Sequence, residues 1–365
     1  SAQLYITELM AQVFFIASLT TDNKGGIHQY ELSADQKIHE THFYELPNCI
    51  WLTFNPNHTV LYASTQGPGI GNIHAYQITK DDKGAPLLKL INTQKSGANC
   101  PCHLDVNHEG TYIYCANYGE DGDSSLSELP IKTSDGSLEP LSKIIRNSGK
   151  GPRADRQEGP HVHCSYITPD GKYVCAVDLG IDAVKVYQID PKSGINSDKF
   201  TTISLPPGCG PRHIIFDRKQ EYAYVANELG NSVTSFRVTH GSNSDLQFEL
   251  LQTISTLPKD CSAETKVAEI RFSKKQDALF VSNRGYDSIA CYSLDGKGGM
   301  TLKNIAKYSG KFPRDFDFFP NSDLVASTNE DTDDVTFFKY DEANCNLVPI
   351  ELKINVVHPL CIAFL

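Results

Sequence analysis

Positive charge is in short supply in this chain. Its 365 residues carry 44 Asp and Glu against 33 Lys and Arg, a net charge of −11 at pH 7 with histidine neutral. Nucleic acid and anionic membrane surfaces both demand a positive face, so neither is expected as a partner. Arginine is scarcer still, at nine residues. An anionic ligand would therefore have to be captured locally.

Other absences narrow the class further. The N-terminal stretch SAQLYITELMAQVFF has no basic opening, carries Glu8 just ahead of its apolar run, and is shorter than a membrane span, so neither a signal peptide nor an anchor is expected. A disulfide framework is missing as well. The eleven cysteines are an odd number, and Cys115, Cys164, Cys175, Cys291 and Cys361 fall inside strand-like runs. They read as small apolar core residues in a reducing compartment, with a cytoplasmic location expected. Cys100-Pro-Cys102-His103 is the one tight cluster. A zinc site would need a second pair at ligand spacing, so no metal is expected there.

What the chain does contain is repetition. From Gly159 to Asp190 three strand-like runs follow one another: His161 to Thr168, Tyr173 to Val177 and Ala183 to Ile189, separated by Pro169-Asp170-Gly171 and Asp178-Leu179-Gly180. The pattern returns about every 50 residues. Inner strands begin at Trp51, His103, Cys164, His213, Glu269, Asp315 and Cys361. Each of the first six is followed by a second run (from Leu61, Ile113, Val174, Ala223, Leu279 and Leu324), a third, and a looser fourth. Four antiparallel strands per repeat is the signature of a propeller blade. After Cys361 the chain stops, whereas it begins with second- and third-strand patterns at Val13 and Ile27. The expectation is an all-β, seven-bladed propeller spanning 1–365 as a single domain, its ring closed by one blade that the two termini share. A single tryptophan, with no Trp-Asp or Gly-His signature, argues against WD-type and kelch repeats.

In such a blade the start of the first strand lies beside the end of the second. Two columns of residues should therefore share one face of the ring. The first reads Ile50/Trp51, Cys102/His103, His163/Cys164, Arg212/His213, Ala268/Glu269, Arg314/Asp315 and Leu360/Cys361; the second reads Leu19, Gln66, Tyr118, Leu179, Glu228, Arg284 and Asn329. Arg212, Arg284 and Arg314 fall in these columns, and Arg153 and Arg156 lie in the loop that leads to His161. Solubility scatters charge rather than concentrating it. Arginine suits bidentate capture of carboxylate or phosphate, so the face should bind a small anion. His161 and His163 share a strand face by the period of two. His213 is expected to turn away from Arg212 by alternation and to serve as scaffold. Asp178, Asn117, Asn227 and Asn283 recur ahead of turns and read as turn caps. Arg271 is one strand step past Glu269, with which it could pair. Arginine, imidazole and an isolated Glu228 suit proton transfer on an anionic substrate.

Several stretches carry a resemblance: RQEGPHVHCSYITPDGKYVCAVDLGIDAVKVY from Arg156, GPRHIIF from Gly210, YAYVANELGNSVTSF from Tyr222, AEIRFS from Ala268, VSNRGYDSIACYSL from Val281 and FPRDFDFFPN from Phe312. Together they resemble the bacterial lactonase family, seven-bladed propellers typified by the cycloisomerase-type 6-phosphogluconolactonase and related to the fungal 3-carboxy-cis,cis-muconate lactonizing enzyme. The resemblance implies active-site roles for His163, Arg212 of the PRH motif, Glu228 of the NEL motif and Arg284 of the SNRG motif. Similar proteins often carry histidine where this chain has Arg271. The implied activity is hydrolysis of 6-phosphogluconolactone to 6-phosphogluconate, without metal or organic cofactor. Glu228 or His163 would activate water, with Arg212 and Arg284 on the anion and the lactone carbonyl. His161, Arg156, Glu269 and Arg314 are expected as substrate-binding residues, with Arg156 or Arg314 reaching the phosphate. The alternatives are a cycloisomerase that closes an unsaturated dicarboxylate to a lactone, and a non-catalytic propeller that binds a protein or a sugar.

Overall fold

The structure, a computed structural model, describes residues 11–365. The reading of the first ten residues as free of a signal or anchor lies outside the described residues. Among the described residues no helix is long and apolar enough to cross a membrane, and one 3-10 turn, Ser242–Ser244, is the only helical element.

Seven four-stranded antiparallel sheets follow one another around a ring. Blade 1 joins Pro359–Phe364 to Gln12–Ser18, Gly26–Leu32 and Ile38–Glu45. The inner strands of blades 2 to 7 are Cys49–Phe54, Pro101–Val106, Val162–Ile167, Pro211–Phe216, Lys266–Phe272 and Pro313–Phe318. Ring closure is the register Phe14↔Phe364, Phe15↔Ala363, Ile16↔Ile362 and Ala17↔Cys361. Both the seven-blade count and the shared blade match the sequence expectation.

The core is not inside any blade but between blades. One cluster packs Cys164, Cys175 and Val186 of blade 4 against Ile214, Val225 and Phe236 of blade 5, and six further clusters fill the other junctions around the ring. Second strands are consequently covered on both faces; Tyr173–Asp178 is buried at every residue. This explains why these runs are near-continuously apolar rather than alternating. It also explains the cysteines: Cys115, Cys164, Cys175, Cys291 and Cys361 each sit in one of these clusters. All eleven are free thiols.

Inner strands face the channel with a free edge, and neighbouring blades cover it with side chains. His103 Nδ1 accepts from the Ser165 N–H at 3.0 Å, Asp105 from the Ile167 N–H at 2.8 Å, and Asp315 from the Ile362 N–H at 2.9 Å. An unpaired buried N–H would cost about as much as a lost hydrogen bond. These polar groups therefore weld one blade to the next.

Candidate functional site

A recurring irregularity builds the site. Where each inner strand begins to pair with its neighbour, the register skips one residue: Ile50, Cys102, His163, Arg212, Arg314 or Leu360, and in blade 6 Ala268 and Glu269 oppose Ser282 together. A bulge inserts a residue that the ladder does not hold and so re-aims its side chain. The first sequence column is thus a ring of bulged positions at one end of the channel. In most blades the residue two places ahead is left-handed, as at Gly210 (φ 57°), where a Cβ would strike Leu229.

Three arginines converge there on one carboxylate, with a fourth nearby. Glu228, just past Tyr222–Asn227, lies 2.5 Å from Arg156 Nη2, 2.9 Å from Arg284 Nη2 and 3.4 Å from Arg212 Nε. Arg314 adds its charge nearby and pairs with Glu330 at 3.3 Å. Burial alone would raise the Glu228 carboxyl, but Arg284, Arg156 and Arg212 override it and hold it down at about 2. It is a fixed carboxylate at neutral pH. Arg212 is the most confined of the set, 1% exposed, and burial together with Arg284 and Arg314 pushes it down to about 10. Its Nη1 has no hydrogen-bond partner, and its Nε makes only the long contact to Glu228. Buried donors left unpaired are costly.

The supports for the other arginines differ. Arg284 is tied to the Val267 carbonyl at 3.1 Å and lies over the Phe312 ring, 5.2 Å from its centroid. Arg156 comes from a loop and also donates to the Tyr118 hydroxyl at 3.2 Å. That loop is pinned by buried Gln157, whose Nε2 donates to Leu179 O and to Asp182. Asp182 in turn accepts from the N–H groups of Gly208 and Gly210, ahead of Arg212.

His163 is buried among these arginines. Burial first, then Arg212, His213, Arg314 and Arg284, push its imidazole well below the ordinary histidine range, so it is neutral at neutral pH. Its Nδ1 lies 3.1 Å from His213 Nε2, and His213 Nδ1 lies 2.9 Å from Glu269. His213 is scaffold, as expected, but the scaffold serves His163. The rings of Trp51, His103 and His213, 5.0 to 5.8 Å apart, fill the channel beneath.

The structure brings His163, Arg212, Glu228, Arg284, Arg156 and Arg314 together, with His161 at the rim beside Arg156 and Glu269 behind His213. His161 stacks on Tyr118 at 4.3 Å; its Nδ1 contacts the Tyr118 carbonyl and its Nε2 contacts Glu158, so both nitrogens are engaged. Glu269 bonds His213 and the Ile270 N–H, and Arg271 lies 3.5 Å from its second oxygen. Asn117, Asn227 and Asn283 bond Ser125, Ser232 and Ser288 on the strands that follow. Blade 7 corrects the second column. Asn329 pairs with Pro313 as Asn227 pairs with Pro211, and it bonds Asp334. The residue in the column is Glu330, which also meets His358 at 3.2 Å. Aligning Asn329 with Asn227 and Asn283 would have found it.

Beside the arginines a pocket of about 410 Å3 opens to the rim between Gln66, Cys100, Tyr118, Arg156 and His161, edged by Glu120, Asp121, Asp155 and Glu158. A larger cavity of about 520 Å3, lined by Asn55, His108 and Asp135, lies among the turns at the other end of the blades and holds none of these arginines. Among the described residues no cluster of three or more His, Cys, Asp or Glu could hold a metal ion.

A seven-bladed propeller of this kind has known relatives. The family model for "Lactonase, 7-bladed beta-propeller" matches residues 13–364, and the chain belongs to that family. It is 32% identical over 354 residues to 6-phosphogluconolactonase of Bacillus subtilis (strain 168), covering 96% of this chain and 97% of that protein. Among solved structures, a putative 6-phosphogluconolactonase from Bacteroides fragilis superposes with a TM-score of 0.86 at 29% identity, covering 98% of this chain and 99% of that one. A periplasmic gluconolactonase from Pseudomonas aeruginosa superposes at 0.87 with 26% identity, covering 97% and 99%.

Proposed function

We propose that this chain hydrolyses 6-phosphogluconolactone to 6-phosphogluconate at the arginine-rich mouth. The observation that carries the reading is Arg212, buried with an unpartnered Nη1 in a cluster of four arginines that only two glutamates offset. Counted over these ion pairs alone, guanidinium groups outnumber carboxylates, which suits an anionic phosphate. Arginine forks grip such an anion bidentately, and in a dry site each contact is strengthened.

The division of labour follows from charge. Glu228, whose oxygens face Arg156, Arg284 and Arg212, serves to order the arginines. His163, neutral and adjacent, takes a proton from water as the water oxygen bonds to the lactone carbon. The carbonyl electrons move onto oxygen, where Arg212 and Arg284 stabilise them. Collapse of the tetrahedral intermediate breaks the ring C–O bond, and His163 returns the proton to the leaving oxygen. The carboxylic acid formed then loses its proton to solvent. Arg156 and Arg314 reach the phosphate, and His161 holds the Tyr118 wall.

The rim favours this reading over a cycloisomerase acting on an unsaturated polycarboxylate. Glu120, Asp121, Asp155 and Glu158 edge the pocket beside Arg156; carboxylates accept from the hydroxyls of a sugar lactone, which an unsaturated polycarboxylate lacks. The eleven free thiols support a reducing compartment. The test is hydrolysis followed with a pH indicator in weak buffer. Turnover of 6-phosphogluconolactone well above that of unphosphorylated gluconolactone is expected; equal rates, or none, would overturn the proposal.

A further inference from the structure

The hydrogen-bonded chain beneath the mouth has a direction that its end groups fix. Glu269 receives the Ile270 N–H at 2.9 Å, and Arg271 Nη2 stands 3.5 Å from its other oxygen. Both neighbours are donors, so Glu269 acts as an ionised acceptor, and His213 Nδ1 must carry the proton that points at it. Burial, with Arg212 and Arg271 next, pushes His213 well below the ordinary range, so it carries one proton only. Its Nε2 is then a lone pair, which receives the Nδ1–H of His163 across 3.1 Å. His163 Nε2 is left without a proton, and it has no hydrogen-bond partner among the described residues.

We propose that Glu269 and His213 are positioning residues that lock His163 in the Nδ1–H tautomer, so that its Nε2 faces the substrate as the base, and that Arg271 anchors the chain from the far side of the channel. The inference rests on reading His163 as the acid/base group. It gives Glu269 a role other than the substrate contact that sequence suggested, and it gives Arg271 one. Arg271 donates to Asp315 at 3.0 Å and to the Phe316 carbonyl at 3.0 Å while it holds Glu269. The chain also answers an electrostatic difficulty. A protonated His163 stands among Arg212, Arg284 and Arg314, and Glu269, which those arginines do not bond, is linked to it through His213.

Two measurements test this separately from the activity. Nitrogen-15 NMR of the wild-type protein with labelled histidine, with the resonance assigned by His163→Gln, is expected to show a protonated Nδ1 and a bare Nε2 on His163. The reverse tautomer overturns the inference even if the enzyme is active. In Glu269→Gln the amide can donate to His213 and flip both rings; kcat is expected to fall roughly a hundredfold with KM within about twofold, and Glu269→Asp to recover part of the loss. A loss carried wholly in KM, or none, counts against it. A wild-type chain with no lactonase activity would sink the proposed function, while the NMR experiment would still decide the tautomer.

Discussion

Two neighbouring levels of the channel use the same blade geometry to opposite effect. At the mouth four arginines share Glu228 and Glu330, and Arg212 keeps unpaired donors. Just beneath, a single Arg271 faces Glu269, Asp315 and Asp317 at 3.5, 3.0 and 3.8 Å. There the acids are employed: Asp315 also takes the Ile362 N–H of the next blade, and Asp317 takes the Phe318 N–H. The mouth keeps unpaired guanidinium donors; the level beneath welds blades and leaves an acceptor, the second Glu269 oxygen, without a hydrogen bond. Charge density alone would not tell them apart, whereas the account of unpaired donors does.

Substitutions at the two levels should therefore separate binding from stability. The largest effect is expected for Arg212→Met, a fall in kcat/KM of roughly a thousandfold, about 4 kcal/mol of transition-state stabilisation. Its thermal midpoint should hold or rise, because an unpaired buried cation has been removed; steady-state kinetics and calorimetric melting check the pair. Arg271→Met should do the reverse. It strands three carboxylates and should lower stability by about 3 kcal/mol in urea titration, while binding of 6-phosphogluconate at the mouth stays within a few-fold.

A smaller effect is expected for Glu228→Gln, which leaves three arginines facing each other without their carboxylate. The folded carboxyl is depressed to about 2 from an ordinary value of 4.5. Its contribution is thus complete above about pH 4.5 and is lost as pH falls through 2. The variant should be less stable than wild type by on the order of 2 kcal/mol at pH 7, and the gap should close in denaturation series run down to pH 2. Smallest is Tyr118→Phe. It removes the hydroxyl that receives Arg156 but keeps the stack on His161. KM should rise a few-fold with little change in kcat, a loss of about 1 kcal/mol.

Much of this geometry was legible because a repeat makes register readable. Aligning inner strands placed His163, Arg212, Glu228 and Arg284 in two adjoining columns, and the structure gathers them. The bulge was not legible, since an inserted residue looks like ordinary alternation until its partner strand is known; hence the depth of Glu269 and the use of His213 by His163 escaped sequence reading. Glu330 was lost to a slip of one residue at Asn329. That Arg156 reaches Glu228 depends on a loop fold fixed by Gln157 and Asp182, contacts that no local pattern encodes.

The most direct measurement is titration calorimetry of 6-phosphogluconate and of unphosphorylated gluconate into wild-type protein and into Arg212→Met. If the mouth is a dianion site organised around Arg212, the phosphorylated compound binds wild type at least tenfold more tightly, about 1.4 kcal/mol or more, and the preference collapses in the variant. Equal binding of the two compounds to wild type, or a preference that survives the loss of Arg212, would contradict the account.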